Sequence, residues 1–160
     1  MNSKPLITPT GSKKFHQGYY KPVNPNKYIG NSNNIIYRSN WEKMFLIYCD
    51  TNPNILKYAS EEIYIPYISS VDGKEHRYFV DFSIYVKQKS GEVKKFLIEI
   101  KPFRQTVVPV HKQGKSQARF LAEMQEYMRN QDKWKYAKQY AKSHDCTFLV
   151  LTEKDLFIKK

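Results

Sequence analysis

Three charged side chains stand inside apolar, strand-like runs, where charges are unusual. Asp81 is the one acid within residues 78–87, and Glu99 and Lys101 end the run 95–101. Side chains alternate along a strand, so Glu99 and Lys101 share one face and lie about 6–7 Å apart. Because burying such charges without partners is costly, we expect each group to serve another charged group or a metal ion.

A hairpin would bring Asp81 beside Glu99. Asp81 lies nine residues before Ser90, which begins a turn signal, and Glu99 lies nine residues after it. Two carboxylates from adjacent strands, with a backbone carbonyl, make a hard-oxygen site that suits Mg²⁺ or Mn²⁺. Lys101 beside them would position or deprotonate a water molecule, or neutralise charge on a phosphate. A structural salt bridge within the sheet is the alternative interpretation of the same spacing.

The elements around these residues predict an α/β (α+β) domain. Ser39 and Glu42 have the spacing of a capping box at the start of a helix. The apolar face of this helix is predicted at Trp41, Met44, Phe45 and Tyr48. An antiparallel meander, a long helix and a short buried strand follow, at 62–68, 78–87, 95–101, 116–143 and 147–151. The order is an α-β-β-β-α-β core with a mixed sheet.

The charge balance predicts an anionic partner. The 160 residues include 27 Lys and Arg but only 15 Asp and Glu, for a net charge of +12. Nucleic acid is the first expectation and an anionic membrane surface the second. The longest apolar run, residues 44–49, is far shorter than the ~20 residues of a transmembrane helix. The two cysteines, 97 positions apart, do not indicate a disulfide framework.

Two stretches without acids carry much of the positive charge. Residues 1–35 are rich in Pro, Gly and Asn and are predicted as a basic extended arm, followed by one domain over 36–160. The arm would contact phosphates, or would serve as a solubilising tail. A second basic loop is predicted over 102–119. The candidate phosphate contacts, which would be independent of base sequence and sensitive to salt, are Lys21, Lys27, Arg38, Lys112, Lys115 and Arg119.

The candidate site resembles the core of the PD-(D/E)xK nuclease superfamily. Asp81, then 17 residues, then Glu99-Ile100-Lys101 after an apolar strand match its motif. The predicted order of elements is similar to its restriction-endonuclease-like fold. Val80 stands where the name of the motif places Pro, a position that varies widely in the superfamily.

Longer strings resemble one branch of that superfamily. Residues 20–28, 48–53, 76–82 and 98–102 are similar to the head-completion nucleases of T-even-type tailed phages, and the similarity runs over about residues 19–157. The helix that begins near Ser39 and contains Trp41 and Glu42 also resembles the TnsA-type transposon endonucleases.

The resemblance implies a metal-dependent DNA nuclease that acts on packaged phage DNA when a filled head is joined to its tail. Asp81 and Glu99 would hold Mg²⁺, which Mn²⁺ would replace, together with the carbonyl of Ile100. Lys101 would be the catalytic lysine. Glu42 would complete the site, although its place in the capping box is a competing explanation. Double-stranded DNA and phage head or neck proteins would be the partners, in the host cytoplasm during assembly and in association with the virion.

Two other functions remain open from the sequence. One is a basic structural protein of the head or neck that binds DNA without cutting it. That function gives no reason to place Asp81, Glu99 and Lys101 in apolar strands. The other is a TnsA-like endonuclease that cleaves transposon ends and is silent without its partner subunits. Endonuclease and exonuclease modes are both compatible with the motif, and the oligomeric state is undetermined.

Overall fold

A mixed four-stranded sheet forms the centre of the protein in the computed structural model, which describes residues 17–157. The elements, in chain order, are β1 (Gly18–Tyr20), β2 (Ile35–Tyr37), α1 (Asn40–Thr51), β3 (Ile55–Ser60), β4 (Tyr64–Ile68), β5 (Glu75–Phe79), β6 (Phe82–Lys87), β7 (Val93–Ile100), α2 (Gln117–Ser143), β8 (Thr147–Leu151) and α3 (Glu153–Leu156). The sheet has the order β3-β6-β7-β8. β3, β6 and β7 are antiparallel, and β8 is parallel to β7.

The predicted α-β-β-β-α-β order is confirmed, but its first strand is not the predicted one. β3 pairs with β6, whereas β4 and β5 form a separate two-stranded sheet. The sequence prediction missed β3 because the register shifts between Ile55 and Lys57, so apolar and polar residues do not alternate. The strand predicted at 62–68 forms as β4, but it pairs with β5 and not with a strand of the main sheet. The single strand predicted at 78–87 is divided at Val80 and Asp81 into the end of β5 and the whole of β6. The predicted meander is therefore wrong, because the chain between β3 and β6 forms a separate hairpin.

Two apolar cores cover the two faces of the main sheet. Ile98 and Ile100 of β7 belong to the core that contains Phe45 of α1. Leu97, on the opposite face, belongs to the core that contains Trp134 of α2. Alternation along the strand therefore turns Glu99 toward the α2 side, where it is only 4% exposed.

Helix α1 begins as predicted but buries only half of the predicted face. The Ser39 hydroxyl accepts a hydrogen bond from the Glu42 amide at 3.1 Å, which confirms the cap. Trp41 and Phe45 pack in the core as predicted, whereas Met44 and Tyr48 are about half exposed. Leu46 and Cys49 are fully buried instead, because the segment before β2 covers the side of the helix that carries them. Helix α2 is continuous through Asn130. None of the helices within residues 17–157 combines the length and apolar character needed to cross a membrane.

Residues 17–35 pack on the fold instead of extending away from it as an arm. β1 and β2 pair with each other, and Tyr28 and Ile35 enter the core next to α1. Lys27 Nζ donates hydrogen bonds to the carbonyls of Cys49, Asp50 and Asn52 at 2.7, 2.9 and 2.9 Å. A cation at a helix C-terminus satisfies carbonyls that lack partners within the helix. Residues 1–16 of the predicted arm lie outside the described residues.

Asp50 provides the second anchor of this segment, and its removal should destabilise the protein. Its carboxylate, 1% exposed, accepts hydrogen bonds from the Tyr20 hydroxyl and the Val23 and Asn24 amides at 2.9, 2.7 and 3.0 Å. Asp50→Ala leaves three donors without this acceptor, so we expect the free energy of unfolding to fall by about 3 kcal/mol. Urea denaturation measures the change. A loss below about 1 kcal/mol, as expected for a surface change such as Lys89→Ala, would contradict the anchor.

Candidate active site

The pairing of β6 and β7 places Asp81 and Glu99 at the same end of the sheet. Phe82 pairs with Ile98, and the register is centred on Ser90, as the sequence predicted. Asp81 immediately precedes Phe82, and its Oδ2 atom accepts a hydrogen bond from the backbone amide of Ile100 at 2.8 Å. The side chain of Asp81 is therefore held against the backbone between Glu99 and Lys101.

Both oxygens of the buried Glu99 carboxylate are engaged by neighbours. Lys101 Nζ lies 3.0 Å from Oε1 and forms an ion pair with it. The Tyr78 hydroxyl donates to Oε2 at 2.6 Å. Burial and the charge of Glu99 raise the pKa of Tyr78, so this hydroxyl stays protonated and remains a donor. Tyr78 was not predicted as a site residue, because it belongs to β5 and reaches Glu99 from the other sheet.

Asp81 has an unfavourable electrostatic environment for its charge. Burial raises the pKa of this carboxyl well above its usual range, and the negative charges of Glu99 and Glu42 raise it further. The hydrogen bond from Ile100 and the charge of Lys101 oppose this shift without cancelling it. A cation bound beside Asp81 would oppose both burial and the charges of Glu99 and Glu42, and would favour the ionised carboxylate.

Glu42 approaches the site from the start of α1, where it also caps the helix. Its Oε2 atom accepts from the Arg38 amide at 2.8 Å, and the Ser39 hydroxyl donates to Oε1 at 3.3 Å. Burial raises the pKa of Glu42, with a further contribution from the charge of Glu61. Glu42 therefore has two roles in the structure. It accepts hydrogen bonds at the start of α1, and its charge acts on Asp81.

Glu61 is a second residue that the sequence analysis missed. Its carboxylate forms a forked ion pair with Arg38, with Nε–Oε1 and Nη2–Oε2 distances of 2.9 and 3.2 Å. Its amide donates to the backbone carbonyl of Asp81 at 3.0 Å, and its φ of 52° lies in the left-handed region. Such a conformation costs a non-glycine residue about 1 kcal/mol or more, so these contacts must hold it. A glutamate after a strand carries no sequence signal that would have predicted this role.

The donor chemistry of the site fits a hard divalent cation. Asp81, Glu99, Glu42 and the carbonyl of Ile100 offer oxygen atoms only, which Mg²⁺ prefers. In the arrangement described for residues 17–157, no three Asp, Glu, His or Cys side chains form a group that could hold a metal ion. The carboxylate of Glu99 instead faces Tyr78 and Lys101. The carboxylate of Glu42 faces the start of α1.

The predicted phosphate contacts divide into two groups. Lys21 and Lys112 are exposed. The other four basic side chains have partners within the protein. Lys27 caps α1, and Arg38 pairs with Glu61. Lys115 and Arg119 both pair with Glu123.

Comparison with known proteins identifies the family. Residues 52–153, which include β3 to β8 and both Asp81 and Glu99, match the description "TnsA-like endonuclease N terminal". The chain is also 41% identical over 144 residues to the "Head completion nuclease" of Enterobacteria phage T4, covering 88% of this chain and 93% of the relative. Both matches confirm the resemblance drawn from the motifs, and the restriction-endonuclease-like fold that it implied. The chain therefore belongs to the TnsA-like endonuclease family and is a nuclease.

Proposed function

We propose that the protein is a Mg²⁺-dependent deoxyribonuclease that hydrolyses phosphodiester bonds of packaged phage DNA during head completion and head–tail joining. The observation that carries the proposal is the cluster of Asp81, Glu99 and Lys101 at one end of β6 and β7, which brings two buried carboxyl groups and an ammonium group together. The name of the T4 relative, "Head completion nuclease", supports the role in assembly. That role implies head or neck proteins as partners, a location in the host cytoplasm during assembly, and association with the virion.

Asp81 and Glu99 would hold the metal ion, with the carbonyl of Ile100 and the carboxylate of Glu42 as further oxygen donors. Bound Mg²⁺, or Mn²⁺ in its place, would polarise the scissile phosphate and lower the pKa of the attacking water. A divalent cation would oppose burial and the charges of Glu99 and Glu42, which together raise the pKa of Asp81, and would therefore favour the ionised carboxylate that binds it. Tyr78 holds Glu99 in place through its hydrogen bond.

Lys101 would act on the phosphate as a cation. Burial lowers its pKa, but the negative charges of Glu99, Asp81 and Glu126 outweigh burial and leave the pKa raised. The amine is therefore protonated at neutral pH. An ammonium group at this point donates to a phosphate oxygen or orients the attacking water, and stabilises the charge that develops in the transition state.

The proposal is tested by incubating the protein with supercoiled plasmid in Mg²⁺, in Mn²⁺ and in EDTA. Nicked or degraded DNA is expected with either metal and intact plasmid with EDTA. Added salt should weaken activity, because phosphate contacts release counterions. Binding without cleavage in both metals would overturn the proposal for the protein acting alone and favour a structural DNA-binding role.

The two roles of Glu42 are separable by substitution. Glu42→Gln keeps an acceptor for the cap but removes the charge, so we expect cleavage to fall about 100-fold with little change in stability. Ser39→Ala removes the hydroxyl that caps α1, so we expect a loss of about 1 kcal/mol in unfolding free energy with cleavage retained. Plasmid cleavage and urea denaturation of both variants measure these effects. If Glu42→Gln cleaved plasmid as fast as the wild type, Glu42 would have only the structural role at the start of α1.

A further inference from the structure

We infer that the cleft between the loop after β7 and the first half of α2 binds an unstacked nucleobase of the DNA substrate. The inference deepens the proposed function and rests on it, since it specifies which part of the DNA lies beside the cleavage site. The cleft has a volume of about 500 Å³ and is lined by residues 104, 105 and 107–110 of the loop and by side chains of α2. Cavities of this size hold small organic groups such as a nucleotide.

Asn130 is the observation that points to a ligand. Its side chain lines the cleft and is 0% exposed. Neither its amide nitrogen nor its amide oxygen has a hydrogen-bond partner among residues 17–157. A buried polar group without a partner costs about 1–3 kcal/mol, so its presence calls for a partner that the ligand supplies.

The chemistry of the cleft favours a base over a bare phosphate. An asparagine amide presents a donor and an acceptor together, which matches the edge of a nucleobase, whereas a phosphate needs donors only. Glu123 and Glu126 also line the cleft, and their ion pairs with Lys115, Arg119 and Arg129 reduce the attraction that this wall offers to a phosphate. Tyr127 lies one helical turn before Asn130 and offers a ring for stacking.

Basic residues at the cleft would hold the DNA backbone on either side of the base. Arg104 and Lys112 line the cleft and are exposed. Lys115 and Arg119 also line it, but Glu123 offsets part of their charge. Arg104 and Lys112 therefore offer the strongest attraction for phosphates at the cleft.

The cleft adjoins the candidate active site. β7 ends at Ile100, and the chain passes through Lys101 directly into the loop that lines the cleft. Glu126, on the α2 side of the cleft, is close enough for its charge to act on Lys101. A base held in the cleft would therefore belong to a nucleotide near the scissile phosphate, as at a frayed or overhanging DNA end.

The test measures binding of fluorescent 20-base-pair duplexes in EDTA, so that it does not depend on cleavage. Three probes are compared: a blunt duplex, one with a three-nucleotide overhang, and one whose overhang has the same phosphates but no bases. The variants are Asn130→Leu and Tyr127→Leu. Gln139→Leu, which alters an exposed amide of α2 outside the cleft, is the matched control.

The wild type and the control should bind the overhang with bases about tenfold more tightly than the abasic overhang. Asn130→Leu and Tyr127→Leu should lose this difference and bind the blunt duplex normally. Asn130→Leu should melt no lower than the wild type, because it removes a buried amide without a partner. Equal affinity of the wild type for both overhangs would overturn the inference. So would a preference that persists in folded Asn130→Leu or in Tyr127→Leu. Since no metal is present, these outcomes are independent of whether the plasmid is cut.

Discussion

Lys101→Ala should abolish detectable cleavage of supercoiled plasmid in Mg²⁺, a loss of about 1,000-fold or more. The ammonium group of Lys101 lies 3.0 Å from Glu99 Oε1, and the Asp81 carboxylate contributes to keeping it protonated. A preorganised cation in a partly dry site stabilises transition-state charge far more than one in water. Alanine at this position removes that cation and whatever proton transfer the amine performs.

The same substitution leaves Glu99 buried with its negative charge uncompensated by the lysine. Breaking a buried pair from one side costs about 3 kcal/mol, so inactivity must be separated from unfolding. The double variant Lys101→Ala, Glu99→Gln removes both charges and should recover stability without recovering cleavage. Lys95→Ala, on the same strand but beside the Tyr85 ring, should remain active. Cleavage by folded Lys101→Ala within tenfold of the wild type would remove Lys101 from the mechanism.

Asp81→Asn should eliminate cleavage to a similar degree and at the same time make the metal-free protein more stable at neutral pH. The charge on Asp81 is disfavoured by burial, by Glu99 and by Glu42, so the folded state holds its proton more tightly than the unfolded chain. Asparagine keeps an oxygen that accepts from the Ile100 amide and carries no charge. The variant therefore loses a metal ligand and a source of repulsion together.

The sign of the pH dependence follows from the direction of this shift. An acid whose pKa is raised in the folded state contributes stability below its unfolded pKa, near 3.8, and that stability is lost as pH rises toward the folded value. In EDTA, the wild type should thus lose more stability than Asp81→Asn between pH 4 and pH 8. Mg²⁺ should raise the melting temperature of the wild type and leave that of Asp81→Asn unchanged. A variant less stable than the wild type at pH 7, or one that Mg²⁺ still stabilises, would contradict this account.

Contacts between residues that are close in sequence, or that one tight turn brings together, could be predicted from the sequence. The register of Asp81 and Glu99 was predictable, because one tight turn at Ser90 and strand alternation determine it. The Ser39 cap was equally predictable, since its partner is the amide of Glu42, three residues away. Such contacts depend on local backbone geometry, which the residue types in a short segment indicate.

The contacts that the sequence did not predict depend on how elements distant in sequence pack against each other. Tyr78 reaches Glu99 only because the inserted hairpin packs against the main sheet. Glu61 takes part because Arg38 arrives from the segment before α1. No periodicity in the sequence encodes these two contacts.

Because β7 pairs with β8, the main sheet can form fully only after β8 has been synthesised. The Lys101 amide donates to the carbonyl of Leu151 at 2.9 Å, and Leu151 follows the 27-residue helix α2. A nascent chain that has not yet extended through β8 lacks this edge of the sheet, so Lys101 lacks the backbone hydrogen bond that holds it at the end of β7. The protein would thus remain catalytically silent on the ribosome, and its first contact with DNA as an enzyme would come only after nearly the whole domain has emerged.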